Sequence, residues 1–259
     1  MCVCDSVRRA LARPDWNASS YDTISAPQQA WGAAVVDRLA LGGSETVLDA
    51  GAGTGRVTEM LLERLPGGHA IAVDASPSMC EHARERLPPD RATVICSDLL
   101  ELELPDPVDA IVSTATFHWI LDHDALFGRM RGLVRPGGQF VAQCGGAGNL
   151  TEVRRLGEGL GAPFAEHLER MPPTWNYATP QDTRRRLERA GFAVDACWFE
   201  AAPASPPRPR EFLETVIFRV HLARLPEELR EPFLDAVMER LDDPPVLDYV
   251  RLNLDARSR

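Results

Sequence analysis

The stretch Thr46-Val-Leu-Asp-Ala-Gly-Ala-Gly-Thr-Gly-Arg56 limits what this chain can fold into more than any other part of it. A short apolar run ends in Asp49 and breaks into glycines at alternate positions, Gly51, Gly53 and Gly55. A helical pattern starts at once, with Val57, Met60, Leu61, Leu62 and Leu65 as its apolar positions. This is a strand, a tight glycine turn and a helix N-terminus, the layout that brings a nucleotide-like ligand against bare backbone amides. A dinucleotide site wants its third glycine three places after the second, where this chain has Arg56. Here the third glycine comes two places after the second, and an acid closes the strand.

Further strand–turn–helix units follow. Ala70-Ile-Ala-Val73 ends in Asp74, nineteen residues after Gly55. An acid at the carboxyl end of a second strand can accept both hydroxyls of a ribose. The alternative role for Asp74 is an N-cap on the next helix, which Ser76 fills equally well, with Pro77 early in that helix. A third strand, Ala92-Thr-Val-Ile95, leads into Cys96-Ser-Asp-Leu99, and a fourth, Val108-Asp-Ala-Ile-Val112, into Ser113-Thr-Ala-Thr116. Arg135-Pro-Gly-Gly138 then precedes a fifth, Gln139-Phe-Val-Ala-Gln143.

Asp49-Ala-Gly-Ala-Gly-Thr-Gly55, with these acids at successive strand ends, resembles motif I and the following motifs of the class I S-adenosylmethionine (SAM) dependent methyltransferases. The resemblance implies an α/β fold: a Rossmann-like, doubly wound seven-stranded sheet with a helical cap over its carboxyl edge. It implies SAM as cofactor and S-adenosylhomocysteine as product, with no metal. Cofactor contacts then fall on Asp49, Ala50, Gly51, Gly53 and Gly55, on Asp74, Ala75 and Met79, on Ser97, Asp98 and Leu99, and on Ser113. Met79 would lie over the adenine face and Asp98 would hold the adenine amine. Backbone amides at the glycine turn suit the cofactor's amino-acid portion.

Asp15-Trp-Asn-Ala-Ser-Ser-Tyr21, before a helix expected from about 27 to 41, is similar to the amino-terminal segment of the trans-aconitate methyltransferase group. In that group the segment folds over the cofactor, which would add Trp16 and Tyr21 to the site; the alternative is a plain hydrophobic anchor. Phe117-His-Trp-Ile120 is similar to the same group. His118 stands at the carboxyl end of the fourth strand, where ligands gather in such sheets, and is the candidate general base or substrate hydrogen-bonding group. It could equally cap the next helix or pack under Trp119.

After the fifth strand the alternation fades. Residues 149–191 read as two or three short helices, 193–201 as a sixth strand, 209–224 and 226–241 as two helices, and 246–256 as a seventh strand. In the family this last strand runs antiparallel between the fifth and sixth. The expected organisation is a lid and first helix over 1–45, a SAM-binding core over 46–145, and the rest of the sheet with its cap over 146–259.

Composition removes rivals. All 28 basic residues are Arg, so no Schiff-base, Walker or short-chain-dehydrogenase lysine exists. A net charge of −10 argues against nucleic acid, and the Arg184-Arg-Arg186 run sits near a helix C-terminus, where cations are ordinary. The six cysteines (2, 4, 80, 96, 144 and 197) show no metal spacing, and Cys80, Cys96, Cys144 and Cys197 read as small core residues. Nothing reads as a signal peptide or membrane span, and a cytoplasmic location is expected. The resemblance implies a small-molecule methyl acceptor as partner, with oxygen favoured, carboxylate or hydroxyl. A carboxylate acceptor would call for cations in the cap, for which Arg154, Arg155, Arg219 and Arg224 are candidates. The alternative function is a SAM-binding protein that uses the cofactor structurally, as a non-methylating cyclase or regulator.

Overall fold

The computed structural model describes residues 26–169 and 171–259. Trp16 and Tyr21, together with Cys2 and Cys4, lie outside them. Strands β1 (Thr46–Ala50), β2 (His69–Asp74), β3 (Ala92–Cys96), β4 (Val108–Thr114) and β5 (Val134–Gly145) are parallel neighbours, joined by β6 (Phe192–Ala201) and β7 (Val250–Ser258) in the order β3-β2-β1-β4-β5-β7-β6. Strand β7 runs antiparallel to both β5 and β6, as the family resemblance implied. The central strands read as unbroken apolar runs because both faces are covered. Val47, Leu48, Ala72, Val73, Ile111 and Val112 are wholly buried.

Helices α1 (Ala26–Asp37), α2 (Arg56–Glu63), α3 (Pro77–Arg86), α4 (His123–Leu133) and α7 (Pro180–Ala190) cover the sheet. The cap comprises α5 (Thr151–Glu158), α6 (Ala165–Leu168), α8 (Pro209–Phe212), α9 (Arg219–Leu222) and α10 (Glu227–Met238). It has an apolar core of its own in which Phe164, Phe212, Phe218 and Phe233 are buried, with Phe218 and Phe233 edge to face at 5.2 Å.

Several expected boundaries moved. Helix α1 stops at Asp37, and the Arg38 side chain just beyond it reaches Asn253 and Asp255 of β7. The single helix expected over 209–224 is interrupted by a wide turn, Leu213–Ile217, in which the Phe218 amide donates to the Leu213 carbonyl at 2.7 Å, five residues back. Such insertions cluster at functional sites, and this one brings Val216, Ile217 and Arg219 to the cavity described below. Strand β7 begins at Val250 rather than 246, and Leu247 makes only an isolated bridge to Ala204. Cys80 and Cys144 are buried as expected, but Cys96 is exposed because it ends β3, the edge strand.

Candidate active site

A cavity of about 670 Å³ opens along the carboxyl edge of the sheet, and its two ends are built differently. One end is backbone. Where β1 stops, the amides of Gly51 and Ala52 both donate to the Val73 carbonyl of β2, at 2.8 and 2.9 Å, which folds the chain back tightly. Gly51 has φ +85°, and a side chain there would overlap Thr116. Gly53 has φ +56°, yet a methyl group there would meet no atom within 4 Å, because the position faces open cavity. Gly55, at φ +83°, is the N-cap of α2 and supplies no side-chain cap.

Asp74 is fixed at the same end. Its Oδ2 accepts from the Gly53 amide and its Oδ1 from the Ser76 amide, both at 2.9 Å. The cap of α3 is Ser76, whose hydroxyl accepts from the Met79 amide at 3.2 Å, so the capping alternative for Asp74 does not hold. Ala75, Met79, Asp98 and Leu99 join Gly51, Gly53 and Asp74 on the wall. The Asp98 carboxylate accepts from the Leu100 amide at 2.9 Å, which orders the loop after β3.

Five residues expected among the cofactor contacts do not reach the wall. Asp49 is wholly buried behind the turn, where its Oδ2 accepts from the Thr58 hydroxyl at 2.7 Å and its Oδ1 has no hydrogen-bond partner among the described residues. Burial pushes its pKa up to about 7 against the pull of the Thr58 hydroxyl, and the charge of Asp74 adds to the rise. Ser113 is buried and donates to the Ala50 carbonyl at 2.6 Å, bracing β1 against β4. Gly55 packs toward Leu87, and the Ser97 hydroxyl lies 3.2 Å from the Asp98 carbonyl. These residues, with Ala50, shape the turns from behind.

The other end is made of side chains. β4 passes through Ala115, a non-glycine residue at φ +54°, into a short 3₁₀ turn, Phe117–Trp119. His118 is nearly buried there and lines the cavity. The Gly145 amide donates to its Nδ1 at 3.3 Å, and its ring stacks on Tyr177 at 5.7 Å and 20°. An N–H pointing at Nδ1 requires that nitrogen to be the acceptor, so the proton of the neutral ring sits on Nε2. Asp122 caps α4, so His118 does not; it does lie against Trp119, with centroids 5.4 Å apart. Gly145 has no room for a side chain, since a methyl group would press on the Tyr177 ring.

Three arginines complete this end. Arg154 lies over Trp175 and Tyr177, 5.0 and 5.4 Å from the ring centroids, and its Nε is buried without a hydrogen-bond partner among the described residues. Arg219 lies over Trp119 at 5.7 Å. Arg251, only 2 % exposed, lies over Trp31 at 4.5 Å. Two of the cations singled out from sequence, Arg154 and Arg219, thus reach the wall, whereas Arg155 and Arg224 are solvent-exposed. Arg251, Trp175, Tyr177 and Asn149 line the cavity without having been foreseen. The signal available for the aromatic pair was its density in Pro173-Thr-Trp-Asn-Tyr177, a segment with no regular pattern. No group of three or more His, Cys, Asp or Glu side chains that could hold a metal ion occurs among the described residues, and no helix among them is long and apolar enough to cross a membrane.

Comparison with known proteins identifies the family. Residues 47–138 match the family model described as a methyltransferase domain. The malonyl-[acyl-carrier protein] O-methyltransferase of Geobacter sulfurreducens is 30% identical over 219 residues, 81% of this chain and 78% of that enzyme. The same-named enzyme of Acetivibrio thermocellus is 36% identical over 108 residues, but the match spans only 38% of its length. Trans-aconitate 2-methyltransferase of Klebsiella pneumoniae is 28% identical over 233 residues, 88% of each chain. Among solved structures, YcgJ of Bacillus subtilis superposes with a TM-score of 0.60 at 16% identity, covering 89% of this chain and 99% of that one. By sequence and by fold, the chain belongs to the class I SAM-dependent methyltransferases, in the group that resembles trans-aconitate methyltransferase.

Proposed function

We propose that this protein transfers a methyl group from SAM to a carboxylate oxygen of a small organic acid. The observation that carries the acceptor class is the convergence of Arg154, Arg219 and Arg251 on the cavity end that also holds His118. Cations on aromatic faces and below the surface suit an anionic ligand better than a neutral phenol or an amine.

The nucleotide end fits the cofactor. Gly53 leaves a cradle that a Cβ would fill, the Asp74 carboxylate stands beside it to take the ribose diol, and Met79 and Leu99 offer apolar surface to adenine. Asp98 is placed to accept from the adenine amine. Asp49, Ala50, Gly55, Ser97 and Ser113 serve by holding this end in shape. Bound there, the cofactor supplies an electrophilic methyl group on a sulfonium sulfur. The chain supplies positioning. A carboxylate needs no base to become a nucleophile, so the arginines have only to place it in line and the cap to exclude water. In this reading His118 is a donor, its Nε2–H directed at the acceptor, rather than a base.

The test is a methyl-transfer assay with a panel of small carboxylic acids, with S-adenosylhomocysteine and methyl ester quantified together. Equal yields support the reading. Release of S-adenosylhomocysteine only with phenols or amines would overturn the acceptor class while leaving cofactor use intact.

A further inference from the structure

We propose that the Tyr177 hydroxyl is a contact for the methyl acceptor, donating to an oxygen of the bound acid, and that Asn149 is the positioning residue that turns its proton into the cavity. This inference rests on the carboxylate-acceptor reading above.

Tyr177 belongs to an extended segment that is pinned on both sides of it. The Asn176 amide donates to the His118 carbonyl and its side-chain Nδ2 to the Leu121 carbonyl, both at 2.8 Å. The Ala147 amide donates to the Ala178 carbonyl at 3.0 Å. Asn176 is thereby tied to the β4 tail, while Trp175 and Tyr177 on either side of it line the cavity. The Tyr177 ring stacks on Trp175 at 6.0 Å and 5°, and on His118 at 5.7 Å and 20°. Gly145 closes on its edge, since a methyl group there would come within 2.7 Å of Cε1. With the ring held, the hydroxyl keeps only the rotation of its proton.

Asn149 removes that freedom. It is 2 % exposed, and its Oδ1 accepts from the Val250 amide at 3.0 Å, which settles the way the side-chain amide faces. Nδ2 is left on the Tyr177 side, 3.0 Å from the same point beside Gly145 that Cε1 approaches, and it hydrogen-bonds the phenolic oxygen. An N–H occupies one side of that oxygen, so the phenolic proton points elsewhere. The guanidinium groups of Arg154 and Arg251, whose charges act on the same oxygen, have no acceptor to offer. Cys144 beside it is a thiol pushed up to about 12 by burial, and a weak acceptor. Tyr177 and Asn149 both line the cavity, so the proton is directed to a ligand there. Burial also holds the hydroxyl above its ordinary pKa, against the Asn149 hydrogen bond and the two arginine charges, which makes it a donor rather than a base.

A neutral donor does what an arginine cannot. A guanidinium binds the charge of a carboxylate, and methylation removes that charge. The oxygen that is not methylated becomes the carbonyl of the ester and still accepts a hydrogen bond. A hydroxyl on that oxygen stays bonded from acid to ester and leaves a lone pair of the other oxygen open to the methyl group. Its contribution is the same before and after transfer, so it falls on KM rather than on kcat.

The experiment takes the acid that the wild type methylates best among trans-aconitate, citrate, cinnamate and benzoate. That acid and its methyl ester are titrated by calorimetry into protein loaded with S-adenosylhomocysteine, beside steady-state kinetics. Tyr177→Phe deletes one oxygen and keeps the stacked ring. It should weaken binding of acid and ester alike about tenfold and raise KM by the same factor, with kcat and SAM affinity held within twofold. Asn149→Asp is nearly isosteric and keeps an oxygen for the Val250 amide, but it presents an acceptor to the hydroxyl and draws the proton away from the cavity. In the Asn149→Asp background the cost of Tyr177→Phe should shrink from about tenfold to less than about twofold, whatever the added charge does by itself. A Tyr177→Phe variant that binds acid and ester as tightly as wild type, or that loses SAM affinity in parallel, would overturn the contact. A tenfold cost that persists beside Asn149→Asp would overturn the positioning role. A wild-type protein that binds and methylates none of the acids would overturn the carboxylate-acceptor reading, and the inference with it.

Discussion

The two ends of the cavity are built by different means, and the proposed function gives one to the nucleotide and the other to the acceptor. The nucleotide end is built from contiguous turns: Gly51 and Gly53 follow one strand, Asp74 to Met79 the next, Asp98 and Leu99 the third. Its polar contacts are backbone amides and two short acids. The acceptor end draws on the β4 tail, the loop after β5, α5, the Trp175–Tyr177 loop, the wide turn before α9, and β7. Its polar contacts are long cationic side chains that aromatic rings must hold still. Side-chain entropy makes the second kind of site expensive, since ordering an arginine costs up to about 2 kcal/mol. It is also the kind that can change acceptor without disturbing the cofactor, since few residues serve both ends.

The largest effect should come from the glycine turn, where two neighbours ought to fail differently. Gly51→Ala would drive a methyl group into Thr116 at positive φ, so we expect loss of SAM binding together with a lower melting temperature. Gly53→Ala meets nothing, so it should fold with a penalty of about 1–2 kcal/mol for the left-handed backbone and yet lose SAM affinity at least about tenfold. Calorimetry beside thermal melts would check this, and identical behaviour of the two variants would erase the distinction between turn and cradle.

Asp74→Ala comes next. It removes charge-assisted acceptance from two backbone amides and from the ribose diol, and should weaken SAM binding by about 1–3 kcal/mol while sparing acceptor binding. His118→Ala tests the other end. As a hydrogen-bond donor His118 should be worth about tenfold in kcat with SAM affinity unchanged. A loss of about a thousandfold, the range of a general base, would assign it the proton-abstracting role instead.

The smallest expected effects lie in the pH dependence of stability, where the two ends should oppose each other. Asp49 has its pKa raised to about 7 by burial, from 3.8, so the folded state holds that proton more tightly than the unfolded chain. Its contribution is complete below about pH 4 and is lost as pH rises to about 7. His221, stacked on Trp175 behind the acceptor wall, is pushed down to about 4 by burial and by the charges of Arg154 and Arg224. Its contribution is complete above about pH 6.5 and is lost as pH falls toward 4. Denaturant melts should therefore show Asp49→Asn flattening a decline on the way up, and His221→Phe flattening one on the way down. Variants whose profiles stay parallel to wild type would contradict both assignments.

What sequence could reveal follows the same division. The glycine turn and the strand-end acids are legible because each depends on residues close together in the chain, with turn chemistry and burial dictating both pattern and structure, whereas the sheet order joins distant strands and follows only from the family resemblance. Asp49 shows the limit even there: the acid was visible, but not that β1 would turn it inward toward Thr58. Arg251 shows a deeper limit. The alternation Arg251-Leu-Asn-Leu-Asp255 reads as a strand with one wet face, yet α1 and the cavity cover that face. Trp175 and Tyr177 could not be placed, since their position is set by stacking on His118 and under Arg154 rather than by local pattern. The wide turn at Leu213–Ile217 left no mark in the apolar spacing of 209–224.

The most direct test of the account is to incubate the protein with methyl-labelled SAM and the acid panel, then treat the products with mild alkali. The account predicts label transfer to an acid in a product that releases labelled methanol on hydrolysis, as a methyl ester does, with one S-adenosylhomocysteine formed per ester. Label retained in an alkali-stable ether, amine or carbon-methyl product would contradict it.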